Sequence, residues 1–504
     1  MRLIPRTRGG ALWRFFLAAV VVIGATAATT AVAGLLQFHQ LSIDLSVGQS
    51  IPHAEIKVAN PGEPQNILVV GSDHRIGEPF TSANTDTMLL VRLNPNSSTI
   101  NVMSIPRDLQ VNVPGFGNAK INSAYQDGGT NLLIKTIHQN VFPTLKINHI
   151  VDVNFSGFIS LVNAIHCVYS DVDHRYYNNT QLTGYSSINI QPGYQRLCGF
   201  RALQFVRFRH TDSDLVRNAR QQDFIRWAKD QYGVSNLIAN RDALLRIFGA
   251  HTQTDHNLHT LDGLINLFNL VAFSAGHTIK QIKFPAQEAP CGGTGIGGAV
   301  TPCFLTASSS AEARVYRAFM RPTTAAAAAS AKKAAGKRTS KIQAAGLTAD
   351  VSDGRAQAAA LSHAGLPVYY PRLIVNGAQY CSGATGNCPV GGVSAVGSYP
   401  RAYTIRDQKG AGHPSYRMTV MINPDLGQYF GIQGTTWQNS PLLASPSETR
   451  IVAGKKLELF VNGGKLTNVA WHTPQAMYWI SNTLTTDIPN REMIAIAASL
   501  TKAG

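Results

Sequence analysis

The sequence is poor in charge and lacks the short motifs that carry several common enzyme chemistries. Only 14% of its 504 residues are charged, and no G-x-x-x-x-G-K-[ST], H-E-x-x-H or G-x-S-x-G pattern occurs. These absences argue against P-loop, zincin and serine-hydrolase chemistry. No C-x-x-C pair occurs either, which argues against a zinc site and against thioredoxin-like redox chemistry.

The composition is that of a large folded protein with a basic surface. Hydrophobic residues make up 44% of the chain, enough to bury a sizeable core, so wholesale disorder is excluded. A chain of this length is expected to contain more than one folding unit. The formal net charge of +16 favours anionic partners, such as nucleic acid, phospholipid surfaces or phosphate-bearing substrates, and charge alone does not choose among them.

The N-terminus predicts export of the main part of the chain. Residues 15–36 carry no charge and, as a helix, would span about 33 Å, enough to cross a bilayer. Four arginines precede this segment, so the positive-inside rule places residues 1–14 in the cytoplasm and the rest outside. A cleaved signal peptide ending at the A-x-A site of residues 31–33 is the alternative. Both interpretations export the same domain.

The number and spacing of the six cysteines are consistent with export to an oxidising compartment. They fall into three local pairs, Cys167 with Cys198, Cys291 with Cys303, and Cys381 with Cys388. We predict disulfides within each pair, with buried free thiols as the alternative.

Strand and helix patterns alternate between residues 66 and 321. Apolar runs at 67–70, 87–93 and 99–105 are typical of strands, the last two joined by a polar connection. Helical spacing is found at 130–141, 155–165 and 215–232, and a further strand pattern at 147–153. The alternation predicts an α/β fold, an α-β-α sandwich around a mixed central sheet.

The segments around this domain differ in composition. Residues 37–65 are polar and predict a stalk after the membrane segment, whereas residues 322–347 are rich in Ala and Lys, as in a linker or an exposed helix. Residues 348–504 carry several strand patterns and one helical pattern near the end. We therefore predict a smaller, β-rich C-terminal unit, whose role the sequence does not indicate.

Polar residues gather where the first three predicted strands begin or end. Asp73 and Arg75 follow the first strand, Asp86 precedes the second, and Arg107 and Asp108 follow the third. If the second and third strands form a hairpin, Asp86 and Arg107 share one edge of the sheet. Two carboxylates beside a guanidinium suit a divalent metal that carries a phosphate.

A second cluster lies further along the chain. Arg207 and Arg209 point the same way in an extended chain, while Arg217, Arg220 and Gln221 share one face of a helix. Arginines in the first turns of a helix repel each other and oppose the helix dipole unless an anion binds there. The cluster therefore predicts a phosphate site.

These segments resemble a known family. Residues 71–75, 85–91, 104–109, 120–125, 128–129 and 207–222 occur in the order seen in LytR-CpsA-Psr proteins. The resemblance covers about residues 66–285. It implies a membrane-anchored, Mg²⁺-dependent phosphotransferase that moves a glycopolymer from a polyprenyl-pyrophosphate carrier to peptidoglycan through a phosphodiester bond.

The resemblance also assigns residue roles. Asp73 and Asp86 become the carboxylates of a Mg²⁺ site. Catalytic roles fall to Arg107, Asp108, Arg209 and Arg217, and substrate-binding roles to Arg75, Lys120, Asn122, Arg207, Arg220 and Gln221. Asp108 has two open roles, pairing with a cation or acting as general base on the acceptor hydroxyl. The sequence departs from the family pattern at Asn84, where arginine is common, and at Val216, where glycine is common.

The expected partners are a polyprenyl-pyrophosphate-linked glycopolymer, peptidoglycan and the cell membrane, which the chain crosses once. Nucleic acid is excluded, because the exported domain cannot reach it and residues 1–14 are too short for a helix-turn-helix. The alternative is a polyprenyl-phosphate binder or envelope regulator without transferase activity. Paired carboxylates favour the enzyme, since a lipid-phosphate binder needs no metal ligands.

Overall fold

The computed structural model of the protein describes residues 49–51, 55–73, 84–179, 187–208, 212–274, 276–289, 304–323, 346–383, 386–388 and 397–503. Several predicted features lie outside the described residues, namely the cytoplasmic segment 1–14, the membrane segment 15–36, most of the linker 322–347, Arg75, Arg209 and the pair Cys291 and Cys303. Among the helices of the described ranges, none combines the length and apolar character needed to cross a membrane.

The N-terminal domain, residues 49–323, is built around one large sheet. Its strands are β1 (Gln49–Ile51), β2 (Gln65–Ser72), β3 (Thr85–Leu93), β4 (Thr99–Ser104), β5 (Gln110–Val113), β6 (Gly117–Lys120), β7 (His149–Asn154), β8 (Val168–Val172), β9 (Tyr176–Asn178), β10 (Ile188–Ile190), β11 (Gly193–Leu197), β12 (Thr252–Asp255), β13 (Thr278–Gln281), β14 (Gln287–Ala289) and β15 (Phe304–Thr306). Its helices are α1 (Ser123–Asn140), α2 (Phe155–Ala164), α3 (Gly199–Arg207), α4 (Asp214–Ala239), α5 (Arg241–His251), α6 (Leu261–Ser274) and α7 (Ser309–Met320).

The large sheet is mixed and seven-stranded, in the order β1-β12-β7-β2-β3-β4-β13. Strand β2, at the centre of the sheet, pairs antiparallel with β3 on one side and parallel with β7 on the other. Successive side chains of a strand point to opposite faces. Leu68 and Val70 of β2 pack with Ile134 of α1 on one face, whereas Ile67 packs near Leu270 of α6 on the other. Helices thus cover both faces, which confirms the predicted α-β-α sandwich.

Two segments extend beyond their predicted limits. Residues 49–51, within the predicted stalk, form strand β1 and pair in parallel with β12, so part of this segment belongs to the sheet. In α4 the helical residues reach Ala239, but the chain kinks at Gly233, directly after the predicted end at Tyr232. The φ of 70° at Gly233 is not helical and is readily adopted only by glycine.

The C-terminal unit, residues 346–503, is β-rich as predicted. Its strands are β16 (Leu347–Ala349), β17 (Tyr369–Pro371), β18 (Leu373–Val375), β19 (Gln379–Tyr380), β20 (Arg401–Arg406), β21 (Gly412–Asn423), β22 (Gln428–Thr435), β23 (Glu448–Val452), β24 (Lys455–Asn462), β25 (Lys465–His472), β26 (Met477–Ser481) and β27 (Leu500–Lys502). Its helices are α8 (Val351–Ala360) and α9 (Asn490–Ala498). An eight-stranded sheet, in the order β19-β21-β22-β26-β25-β24-β23 with β20 also on β21, packs its buried face against both helices.

Two disulfides join neighbouring cysteines. One links Cys167 to Cys198, the N-cap residue of α3, and the other links Cys381 to Cys388. These bonds confirm the predicted pairing for the cysteines of the described ranges.

The C-terminal unit packs against the antiparallel pair of β8 and β11 in the N-terminal domain. The buried carboxylate of Asp171, on β8, accepts hydrogen bonds from Arg417 at 2.6 Å, Gln433 at 2.8 Å and Trp479 at 3.1 Å, all in the C-terminal unit. The side chain of Arg417 is fully buried. A charged group of one unit is therefore satisfied by the other.

Candidate active site

The central strands bring the predicted site residues to one edge of the sheet. The end of β2 lies beside the start of β3, with Ser72 paired to Thr85. The end of β4 lies beside the first half of β3, with Ser104 paired to Leu89. The residues that follow β2 and β4 therefore meet those at the start of β3, as the hairpin prediction required.

The carboxylate of Asp86 is held between two guanidinium groups. Arg107 Nη1 lies 2.5 Å from Asp86 Oδ1, and Arg207 Nε lies 3.1 Å from Asp86 Oδ2. The guanidinium of Arg207 also lies over the ring of Phe155, 3.8 Å from its centre. The side chain of Asp86 is only 14% exposed, whereas that of Arg207 is 37% exposed. The buried carboxylate of Asp86 thus holds both arginines in place, while part of each arginine side chain faces solvent.

The nearby arginines lower the pKa of Asp86. Burial by itself would raise the pKa of Asp86, but attraction to Arg217, Arg207 and Arg107 outweighs it and holds the pKa of the carboxyl below its ordinary value. Three cations therefore act on one carboxylate. Such a cluster is prepared to bind an anion with several oxygens, because the guanidinium fork bonds two oxygens at once.

The start of α4 joins the cluster through Asp214. This carboxylate accepts a hydrogen bond from the backbone N–H of Arg107 at 2.9 Å, and it forms a buried ion pair with Arg217 one turn later on the helix. Burial raises the pKa of Asp214 above its ordinary value, although Arg217 acts in the opposite direction. Asp214 thus ties α4 to the segment after β4 and positions Arg217 beside Asp86.

Asp108 and Lys120 form a second ion pair next to the cluster. Lys120 Nζ lies 3.0 Å from Asp108 Oδ1, and Arg107 Nε lies 3.9 Å from the same oxygen. Asn122 is held by its backbone, because its N–H donates to the carbonyl of Arg107. The predicted site residues Asp86, Arg107, Asp108, Lys120, Asn122, Arg207 and Arg217 are therefore brought together.

Two predicted site residues make their contacts elsewhere. Arg220 Nη2 donates to Asp212 at 2.6 Å and to the carbonyl of Phe208 at 2.9 Å, and its guanidinium lies 4.5 Å from the centre of the Tyr176 ring. Gln221 donates to the carbonyl of Val206. Both are buried in the packing between α3 and α4, so their substrate contacts stay predictions, as do those of Arg75 and Arg209.

Asp73 and Asp86 supply two carboxylates, the number of protein ligands that is common in magnesium sites. Asp73 follows β2, and its Oδ1 accepts a hydrogen bond from the N–H of Asn84 at 2.5 Å. Magnesium is commonly bound through one or two carboxylates together with substrate phosphates and water. In the described ranges no group of three or more His, Cys, Asp or Glu residues is placed to hold a metal ion. Any magnesium held there would therefore depend on oxygens of the substrate.

Sequence reasoning gave no site role to three side chains that contribute to this edge of the sheet. Phe155 lies against the guanidinium of Arg207, and Asp214 accepts a hydrogen bond from the backbone N–H of Arg107 and pairs with Arg217 on its own helix. Tyr125 donates to Asp152, which also accepts from Ser72 at 2.6 Å, directly beside Asp73. The three-residue spacing of Asp214 and Arg217 at a helix start was the one available signal, since it is typical of a helical ion pair.

Comparison with known proteins gives the same family that the motifs suggest. The model of the LytR_cpsA_psr family matches residues 37–301. Two relatives are named polyisoprenyl-teichoic acid–peptidoglycan teichoic acid transferase TagU. The one from Oceanobacillus iheyensis is 35% identical over 235 residues, 44% of this chain and 70% of its own length. The one from Halalkalibacterium halodurans is 31% identical over 228 residues, 45% of this chain and 70% of its own length.

A solved structure titled TagT bound to LI-WTA is 24% identical, covers 54% of this chain and 97% of the other chain, and has a TM-score of 0.40. The family match spans more than half of the chain, and it includes the segments that position Asp86, Arg107 and Arg217. On this match, the chain belongs to the LytR_cpsA_psr family.

Proposed function

We propose that the protein is a membrane-anchored, extracytoplasmic phosphotransferase. It moves a glycopolymer from a polyprenyl-pyrophosphate carrier to peptidoglycan and leaves the two joined by a phosphodiester bond. Its relatives are named as transferases that act between polyisoprenyl-linked teichoic acid and peptidoglycan. The identity of the glycopolymer is left open, because the donor of this chain need not be a teichoic acid.

The observation that carries the proposal is the group of arginines around Asp86. Arg107 and Arg207 bond its two oxygens, and Arg217 is close enough to lower its pKa. A pyrophosphate presents several charged oxygens in a short span, and planar guanidinium groups match them in charge and geometry. Holding the arginines in place before the substrate arrives reduces the reorganisation needed in the transition state.

The reaction follows from this arrangement. An acceptor hydroxyl forms a bond to the phosphorus that carries the glycopolymer, and the bond from that phosphorus to the bridging oxygen breaks. The leaving polyprenyl phosphate gains negative charge, which Arg107, Arg207 and Arg217 stabilise. Asp86 positions two of these arginines. As the new bond forms, the proton of the acceptor hydroxyl passes to Asp108 if that residue acts as general base, and to solvent water if it does not.

Asp108 has its two predicted roles within this scheme. Its ion pair with Lys120 at 3.0 Å favours the positioning role. The role of general base requires that Lys120 turn to a phosphate oxygen, which would release the carboxylate toward the acceptor hydroxyl.

Asp73 and Asp86 would hold Mg²⁺ together with the substrate phosphates. Bound there, the ion would neutralise charge on the pyrophosphate oxygens. Each oxygen of Asp86 is bonded to one arginine and keeps a second lone pair for an ion. Mg²⁺ beside these guanidinium groups would be favourable only with the phosphates bound, so the same carboxylate would couple metal and substrate binding.

The experiment that tests the proposal uses the full chain in detergent with a polyprenyl-pyrophosphate-linked glycopolymer and peptidoglycan. We expect release of polyprenyl phosphate together with glycopolymer that is resistant to extraction from peptidoglycan until its phosphodiester is cleaved. Donor binding without release of polyprenyl phosphate would contradict the proposal and favour the alternative of a lipid-phosphate binder.

A further inference from the structure

A cleft of about 470 Å³ lies between the N-terminal domain and the C-terminal unit. One wall is formed by the end of β4, the first turns of α4 and the segment after β13. The other wall is formed by the β24–β25 turn and the loop 484–487. This volume lies within the range of roughly 300 to 1,000 Å³ that is common for small-molecule sites.

The lining of the cleft is polar but only weakly charged. Its cations are Lys283 and Lys465, one from each wall, and its single anion is Asp487. Asp487 is already bonded by the hydroxyls of Thr483 and Thr485 within its own loop. The remaining polar lining consists of side-chain amides and hydroxyls, interrupted by apolar side chains. Amides and hydroxyls next to small apolar surfaces suit sugar rings, which carry hydroxyls at their edges and C–H groups on their faces.

One amide of the lining has no partner. Asn218 is 7% exposed, and its Nδ2 has no hydrogen-bond acceptor among the described residues. Its neighbour on the helix face, Gln222, donates to Ser104 at 2.8 Å. This nitrogen is itself buried, so a ligand or a water molecule can supply an acceptor only if the Asn218 side chain turns toward the cleft.

The two walls are held together by direct contacts. Gln281 N–H donates to Asn462 Oδ1 at 3.1 Å, and Asn462 Nδ2 donates to Gln281 Oε1 at 2.6 Å. On another side of α4, Val216 lies against Gly427, where an added β-carbon would come within 3.0 Å of the valine. The side chain of Val216 fills this contact with the C-terminal unit.

The cleft is adjacent to the candidate active site. Asn218 follows Arg217 directly on α4, and Ser104 precedes Arg107 by three positions, a span of at most about 10 Å. The cleft and the arginine cluster therefore share two elements, the end of β4 and the first turns of α4.

We propose that this cleft binds the acceptor, as a disaccharide-sized, N-acetylated segment of the peptidoglycan glycan strand. The C-terminal unit thus supplies one wall of the acceptor site. This inference rests on the proposed function. A polyphosphate donor chain would require a more cationic lining than two lysines and an aspartate provide. Neutral acetamido groups, in contrast, match the side-chain amides of the lining, and the lysines suit a carboxylate, which the lactyl group of N-acetylmuramic acid presents where it carries no peptide.

Binding to the full chain tests the inference without any turnover. The probe is the soluble disaccharide of N-acetylglucosamine and N-acetylmuramic acid, titrated by calorimetry or by NMR. We expect Lys465→Ala to weaken its binding about tenfold, the effect of one charge-assisted contact. Leu484→Trp, which fills the cleft, should abolish it. Lys502→Ala, at an exposed lysine on β27, is the matched control and should leave binding unchanged.

Asn218→Leu adds a second readout. We expect it to weaken disaccharide binding while leaving Tm unchanged or raised, because it removes an unpartnered buried amide. Equal binding by wild type, Lys465→Ala and Leu484→Trp, with all variants folded, would overturn the inference. The inference would also be overturned if Lys465→Ala and Leu484→Trp lost binding to a soluble fragment of the donor glycopolymer but kept binding to the disaccharide.

Kinetics separate the inference from the proposed function. In the transfer assay, Lys465→Ala should raise KM for peptidoglycan and leave KM for the lipid-linked donor unchanged. Normal transfer with an unchanged acceptor KM would overturn the inference and keep the proposed function. Absence of transfer by the wild type would overturn the proposed function, and the disaccharide titration would still decide whether the cleft binds a saccharide.

Discussion

Arginine plays different roles in this protein according to what surrounds it. Arg107 and Arg207 bond Asp86 and keep part of their surface exposed, so they are available to an anion. Arg220 and Arg417 are fully buried and bond Asp212 and Asp171. A buried arginine with a carboxylate partner stabilises packing, whereas a partly exposed one beside a shared carboxylate can exchange that carboxylate for a phosphate.

Asp86→Ala tests the centre of the site. We expect it to abolish Mg²⁺-dependent transfer, because it removes a proposed metal ligand and releases Arg107 and Arg207 from their fixed positions. Turnover of lipid-linked donor against Mg²⁺ concentration is the measurement, with circular dichroism to verify folding. Asp127→Ala, at an exposed position of α1, is the control. Unchanged turnover and metal dependence in Asp86→Ala would contradict the assignment.

Arg107→Lys tests whether the guanidinium fork is required. Lysine keeps the charge but loses the second parallel hydrogen bond, and a charge-assisted bond is worth roughly 1.5 to 3 kcal/mol. We therefore expect kcat/KM for the donor to fall about tenfold or more, with part of the loss in kcat. Arg314→Lys, on the exposed face of α7, should have no effect. Small and equal effects of the two substitutions would show that Arg107 acts only as a surface charge.

Helix α4 is the element that connects the parts of the molecule. Its first residue, Asp214, binds the backbone of Arg107, and its first turns carry Arg217 and then the cleft residue Asn218. Further along, Ile225 packs on the sheet and Trp227 on the small core beside α3. One helix thus fixes the arginine cluster relative to both the sheet and the C-terminal unit.

Glu312, on helix α7 at the opposite face of the sheet, leads to a prediction about how stability depends on pH. Glu312 is 8% exposed, and burial raises its pKa to about 7. Between its ordinary pKa of 4.5 and about 7, the folded state holds a proton that the unfolded state has lost, so stability falls as pH rises through this window. Glu312→Gln should be nearly neutral at pH 4 and stabilising at pH 8, by up to about 3 kcal/mol.

The measurement for Glu312→Gln is urea denaturation at both pH values. Glu55→Gln, at an exposed glutamate, should show no such difference between pH 4 and pH 8. A gain for Glu312→Gln that is equal at the two pH values would show that Glu312 does not hold a proton in the folded state.

At the scale of the whole molecule, the two units share a buried interface. Asp171 of the N-terminal domain depends on Arg417, Gln433 and Trp479 of the C-terminal unit for its hydrogen bonds. Nearby, His174 stacks on Tyr429 with ring centres 4.3 Å apart. The interface lies on the antiparallel pair of β8 and β11 and adds to the contacts around α4, so the C-terminal unit contacts the domain in more than one place.

Arg417→Met tests this interface. Removing one member of a buried ion pair typically costs about 3 to 5 kcal/mol, since the remaining charge loses its partner. We expect a loss of that order in the free energy of unfolding, measured by urea denaturation, and partial recovery in the double variant with Asp171→Asn. Arg450→Met, which removes a partly exposed pair with Glu448, should cost no more than about 1 kcal/mol. Equal small losses for both would argue against a buried, interdependent interface.

The sequence by itself determined most helices and strands of the described ranges and the proximity of Asp86 to Arg107. Period-two and helical patterns are local, and the antiparallel register of β3 and β4 follows from their short connection. The same local reasoning predicted the disulfides of the described cysteines and the β-rich character of the C-terminal unit. The family motifs then supplied the chemistry, because they place those residues in one order.

Only the tertiary structure decided which arginines reach Asp86 and what the C-terminal unit touches. Helical spacing put Arg217 and Arg220 on the same face, but packing between α3 and α4 pairs Arg220 with Asp212 and leaves Arg217 beside Asp86. The bond between Asp171 and Arg417 joins residues 246 positions apart. No periodicity encodes such a contact, because the direction and partner of a side chain depend on how distant surfaces pack.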